Sequence, residues 1–178
     1  MKILLLSDLH LSVQPLAAPD TDADVVVLAG DLGRPAMAIE WAKQFTQPTL
    51  FVAGNHEYYG ADLQSTVTRL QALSRNSTVS VLECDCRVIG GVRFLGCTLW
   101  SNHRLYETDQ EREQAMAIAV NVLHDFTRIT CDPGATEKFT PIKAQALCDQ
   151  SVDWLDKQLR LRKLSVEVDT IEDMAIRG

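Results

Sequence analysis

The sequence predicts an α/β fold built on a parallel sheet. Three observations carry that prediction. Short apolar runs recur at Ile3 to Leu6, Val25 to Leu28 and Leu50 to Val52. Runs of about four Val, Ile and Leu between turn residues read as strands buried on both faces. Each run stops at a polar tip: Ser7-Asp8-Leu9-His10, Ala29-Gly30-Asp31 and Gly54-Asn55-His56-Glu57. The tips lie 23 residues apart (Asp8 to Asp31) and then 24 (Asp31 to Asn55), room for one strand–helix–strand unit each.

The remaining elements follow in order. Residues 11–23, with Pro15, Pro19 and several Asp, read as a loop. Arg34-Pro35 opens a helix through Phe45, since Pro is tolerated in a first turn. Its inner face is expected to carry Met37, Trp41 and Phe45, and Gln47-Pro48 ends it. Tyr58-Tyr59-Gly60 is expected to turn the chain into a helix reaching about Ser74. Leu63, Val67, Leu70 and Leu73 form that helix's apolar stripe. Val79 to Leu82 is a fourth buried strand. Arg87 to Ile89 and Val92 to Leu95 flank Gly90-Gly91, a two-residue hairpin signal. Thr108-Asp109-Gln110-Glu111 is a capping box for a helix to about Asp125, with Met116, Val120 and Leu123 buried and His124 complementing its C-terminus. Residues 127–139 read as a loop. Thr140-Pro141 starts a long helix through about Leu161, its inner face carrying Leu147, Trp154, Leu155 and Leu159.

Composition narrows the function. The 178 residues suit one domain with its own core. A net charge of −7 argues against a duplex nucleic-acid face, because such faces are basic. Bound divalent ions would reverse the local sign at a phosphoester site. Cys84, Cys86, Cys97, Cys131 and Cys148 form no Cys-x-x-Cys pair and read as reduced thiols of a cytoplasmic protein. No stretch is long enough to span a membrane, and the apolar run at the N-terminus stops at Ser7-Asp8, short of a signal peptide core. There is no Gly-x-Gly-x-x-Gly after the first strand and no phosphate-loop lysine motif, so a nucleotide-binding module is disfavoured.

In a parallel sheet the carboxyl ends of the strands share one rim, where open α/β sheets bind ligands. The three tips bring two Asp, two His and one Asn to that rim. Carboxylate, imidazole and amide oxygen are donors for Mn, Fe, Mg or Zn. Asp8 and His10, two apart on an extended turn, can reach one ion; Asp31 can bridge two, and Asn55 offers a neutral oxygen to the second. His56 beside them suits a general acid that protonates a leaving alkoxide. Two ions about 4 Å apart can clamp a phosphate and generate a hydroxide nucleophile. Tyr58 and Tyr59 either contact substrate near His56 or pack on the domain surface. His103, in a loop after Thr98-Leu99-Trp100, is expected to be solvated rather than turned to the metals.

Asp-x-His, then Gly-Asp, then Gly-Asn-His-Glu resembles the calcineurin-like metallophosphoesterase superfamily, over roughly residues 1–160 in layout. The resemblance implies a two-sheet β-sandwich flanked by helices. It implies a dinuclear metal site of Asp8, His10, Asp31 and Asn55, with His56 donating the proton. It implies hydrolysis of a small phosphomonoester or diester with Mn, Fe, Zn or Ni. The pattern departs from the family past the long helix. No histidine follows His124, so two histidine-bearing tips are lacking. Leu164-Ser165-Val166-Glu167-Val168 alternates like a strand but leads into Asp169 and Glu172, not histidine. The family domain is therefore expected to be missing or diverged after about residue 164 of a single domain spanning 1–178. The second sheet is expected to be incomplete, metal occupancy to be single or weak, activity to be low, and an open sheet edge to favour self-association. A truncated or frame-shifted copy, a non-catalytic homologue that binds a metal ion, a phosphate ligand or a partner chain, and a chain completed by a partner all fit this pattern.

Overall fold

The computed structural model describes residues 1–134 and 136–162. The expected strand at 164–168 lies outside them. The first three apolar runs become β1 (Ile3–Leu6), β2 (Val25–Ala29) and β3 (Thr49–Val52), and the fourth becomes β4 (Val79–Val81). They form a parallel sheet in the order β1-β2-β3-β4. Register sets Leu5 beside Val27, and Val27 beside Leu50. Parallel pairing requires a crossover between strands, and helices supply two of the three: α1 (Pro35–Ala42) between β2 and β3, and α3 (Leu63–Ser74) between β3 and β4. The crossover from β1 to β2 is the irregular loop 11–23, tied to α1 by the Trp41 indole N–H, which donates to the Leu16 carbonyl at 2.7 Å.

Side chains alternate across the sheet. Val26, Leu28 and Phe51 face α1 and α3, where Ile39, Trp41, Ala42 and Leu70 complete the main core. Val25, Leu50 and Leu82 face the other way and meet Ile89 and Phe94. Those two residues come from an antiparallel ribbon of β5 (Asp85–Ile89) and β6 (Val92–Gly96). Its turn residues Gly90 and Gly91 have φ of 56° and 82°, as the glycine pair predicts. The second layer among the described residues is this two-stranded ribbon, not a full second sheet.

Several expectations are corrected. β1 is not buried on both faces: Ile3 and Leu5 are 49% and 64% exposed, because β1 is an edge strand beyond the reach of the ribbon. The helix after Arg34 ends at Ala42 rather than Phe45, and Met37 is exposed while Ala38 and Ile39 face the core. The Asn-His-Glu-Tyr segment is no plain turn but a short helix, α2 (Asn55–Tyr58). The capping box holds: α4 (Asp109–Val122) starts with Thr108 Oγ1 accepting from the Glu111 N–H. Yet no residue of α4 is fully buried, and Val120 and Leu123 are exposed. Its periodicity was helical, but too little is packed against it to cover the stripe. α4 ends at Val122, and His124 stands at the N-cap position of α5 (Asp125–Arg128) with no side-chain cap; the last two residues of this helical turn fall in the expected loop. On α6 (Pro141–Arg162), Leu159 is exposed, while Ala144, Cys148 and Ser151 make the buried face with Leu147 and Leu155 partly covered.

Candidate metal centre

Past the strands, the first two tips stay laced together. The Asp8, His10 and Leu11 N–H groups donate to the carbonyls of Gly30, Asp31 and Leu32 at 3.1, 2.9 and 2.8 Å. Parallel pairing is thus prolonged into the loops, which fixes His10 next to Asp31. Asp8, His10 and Asp31 all have positive φ, at 55°, 44° and 57°. An L-residue there costs about 1–2 kcal/mol, and such strain persists where surrounding structure imposes it, often at functional sites.

The third tip arrives through glycine. Gly30 (φ 89°) and Gly54 pack backbone to backbone: a Cβ on Gly30 would sit 2.6 Å from the Gly54 nitrogen, and one on Gly54 would sit 2.7 Å from the Asp31 Cγ. No side chain fits either position without moving a loop. This contact lets the His56 N–H donate to Asp31 Oδ1 at 2.9 Å.

Glu57 locks the arrangement. It is fully buried, and its carboxylate accepts four backbone N–H groups: Asp31 (3.0 Å), Leu32 (2.8 Å), Gly33 (2.9 Å) and Gly54 (2.7 Å). Burial pushes its carboxyl above the usual carboxylate range, opposed by the N–H groups of Gly33, Asp31 and Gly54 and reinforced by the charge of Asp31.

The tips bring together His10, Asp31 and His56, whose ligand atoms all lie within 4.8 Å of one another. The His10 and His56 rings meet edge-on at 4.4 Å, and Tyr59 lies against His56 at 4.6 Å. Asn55 borders the same rim. Its amide nitrogen donates to Asp125 Oδ1 (2.7 Å) and the Tyr59 hydroxyl (3.1 Å), which leaves its carbonyl oxygen as the atom available to a cation. Asp8 is exposed, and its carboxylate accepts from the Ser7 hydroxyl at 2.5 Å; it is not part of the three-residue cluster. Two imidazoles and a carboxylate at this spacing fit one divalent ion with open positions. A cleft of about 760 Å³ opens beside them, lined by Asp31, Asn55, Thr98, Trp100 and Asp125.

Neither tyrosine packs on the surface. Tyr58 is buried, its hydroxyl 2.9 Å from Thr98 Oγ1, and Tyr59 donates to Asp125 Oδ1 at 2.7 Å. His103 is not simply solvated: it is half-buried, and its Nε2 is shut from solvent with no hydrogen-bond partner among the described residues. Burial lowers its pKa. No cysteine joins a metal-capable cluster among the described residues.

Two supporting residues escaped the sequence reading. Glu57 was part of the third tip but carried no role; a glutamate following Gly-Asn-His was the only signal. Asp125 lies 70 positions from Asn55, and nothing in the sequence links them.

Residues 1–123 match the family model of the calcineurin-like phosphoesterase superfamily domain. A search of curated proteins returned no match.

Proposed function

Because the chain belongs to the calcineurin-like phosphoesterase superfamily, we propose that it is a metal-dependent hydrolase of a small phosphomonoester or phosphodiester. The observation that carries this reading is the convergence of His10, Asp31 and His56 at the rim of the parallel sheet. Asp8, His10, Asp31 and Asn55 would hold divalent ions, Mn, Fe, Zn or Ni, in a dinuclear site, with His56 beside them free to donate a proton. Such an ion polarises a phosphoryl oxygen and makes bound water acidic.

The chain's own residues do the rest. Asp31 and Asn55 are held rigidly, by the His56 N–H and by Asp125. Tyr59 and His10 flank the His56 ring and fix its plane. A ring nitrogen so oriented can deliver a proton to the departing alkoxide. The cleft of about 760 Å³ gives a small ester room beside it. The two-sheet sandwich of the family belongs to the same proposal, with the β5–β6 ribbon as its described portion. Five free thiols accord with a cytoplasmic setting.

A second reading is favoured by the single donor cluster among the described residues: a homologue that binds one ion or phosphate without turnover. Manganese-loaded protein assayed on p-nitrophenyl phosphate and bis(p-nitrophenyl) phosphate separates the two. The hydrolase reading expects metal-dependent release of nitrophenol that Asp31→Ala reduces by about 10³-fold or more. Absence of turnover with Mn, Fe, Ni and Zn, beside intact metal binding, selects the second reading.

A further inference from the structure

Tyr59 is the hinge between the metal centre and a second feature. Its ring lies against His56, and the guanidinium groups of Arg34 and Arg128 lie over it at 5.8 and 5.4 Å. Arg34 follows the Asp31 loop directly, and its Nη1 would be 3.6 Å from a Cβ on Gly60. Beyond Tyr59 a cavity of about 240 Å³ opens between the start of α1 and the first turns of α3, lined by Arg34, Tyr59, Ser65 and Arg69. Its one lining carboxylate is Glu57, both of whose oxygens are already engaged by backbone N–H groups.

What sets Arg34 and Arg69 apart is that both line one cavity while neither joins an ion pair among the described residues. Acidic residues outnumber basic ones, for a net charge of −7. Arg87, Arg104, Arg112 and Arg160 each pair with an aspartate. Arg34, Arg69 and Arg128 join no ion pair among the described residues. Asp125 sits at the hydroxyl end of Tyr59, where it accepts from Tyr59 and Asn55. Two arginines lining one cavity, neither in an ion pair among the described residues, suit a phosphate, which guanidinium groups grip in bidentate fashion.

We propose that Arg34 and Arg69, with Arg128 above Tyr59, form a subsite for a second phosphate group of the substrate, so that the preferred substrate is a small bisphosphate. The proposal rests on the phosphoesterase reading for its link to turnover, and on the arginine-lined cavity alone for the binding itself. One phosphate would lie at the His10–Asp31–His56 cluster while the other reaches past Tyr59 to the cavity.

The test has two arms. In the first, manganese-loaded protein hydrolyses adenosine 3′,5′-bisphosphate and adenosine 5′-monophosphate, and kcat/KM is compared. The subsite expects a preference of about tenfold or more for the bisphosphate, expressed in KM, because one charge-assisted contact is worth about a factor of ten. Arg34→Ala/Arg69→Ala should bring the ratio to about one; Arg69→Gln, exposed on α3, should lower it in part. Arg75→Ala, at the far end of α3, should leave it unchanged. In the second arm, pyrophosphate is titrated calorimetrically into protein stripped with EDTA, with binding expected in the wild type and lost in the double variant. Turnover of p-nitrophenyl phosphate with no bisphosphate preference, or a preference that survives the double variant, overturns the subsite and leaves the phosphoesterase reading standing. If no ester is hydrolysed, that reading falls, and the pyrophosphate arm still decides: wild-type protein that binds none overturns the subsite.

Discussion

The backbone N–H of Asp31 donates to Glu57 Oε2 at 3.0 Å, 26 residues along the chain. One buried carboxylate from the third tip therefore sets the conformation of the second, and with it the position of the candidate metal ligand. Removing it strands four backbone donors. Glu57→Ala is expected to cost about 3 kcal/mol or more of stability, since each buried unsatisfied group costs about 1–3 kcal/mol. Glu57→Gln, which keeps one acceptor oxygen, should cost roughly half as much. Urea denaturation monitored by circular dichroism measures both, and equal stability of all three proteins would contradict the locking role.

His10 has φ of 44°, a backbone region that favours glycine. Two substitutions separate strain from ligation. His10→Gly should be more stable than His10→Ala by about 1 kcal/mol, while both lose the imidazole and with it metal affinity. Thermal melts of the metal-free proteins read the first effect, and equal melting temperatures would show that the backbone relaxes.

Asp125 holds the Asn55 amide and the Tyr59 hydroxyl through the same oxygen. Asp125→Ala frees both, so Asn55 can turn its carbonyl away from the rim. Outer partners of metal ligands are worth about 10–100-fold in affinity, and a loss of that size is expected in a manganese titration. No change would show that Asn55 and Tyr59 hold their places unaided.

The Glu83 carboxylate accepts from Thr98 and the Tyr58 hydroxyl. Burial pushes its pKa above its ordinary value of 4.5 against those hydrogen bonds. The folded state therefore holds this proton more tightly than the unfolded chain does. Between the two pKa values the native state binds more protons, so stability falls as pH rises from about 4.5 through the folded value and then levels off. Glu57 is raised too and contributes a slope of the same sign. Glu83→Gln should remove its own share, so that the wild type and the variant diverge in melting temperature as pH rises above about 4.5, the wild type losing more. Parallel curves would contradict the burial argument.

Much of this arrangement was legible from residues alone, for a physical reason. A strand inside a parallel sheet must be apolar along its length, and its end must be a turn. Val25 to Leu28 and the Gly30-Asp31 tip therefore announce themselves without any knowledge of their neighbours. The capping box at Thr108 is equally local. What failed depended on partners. Ile3 and Leu5 have the letters of a buried strand but occupy an edge beyond the ribbon, and Val120 and Leu123 show helical spacing with too little packed upon them. The engagement of Glu57 with the second tip and of Asp125 with Asn55 crosses 25 to 70 residues, a distance that no local pattern encodes.

The central claim is that the loop tips were assembled to hold a divalent cation. Calorimetric titration of manganese into metal-stripped wild type, His10→Ala and Asp31→Ala tests it most directly. The wild type should bind at least one ion per chain, and each variant should bind about 100-fold or more weakly. Wild-type protein that takes up no manganese, or variants that bind it as tightly as the wild type, would contradict the account.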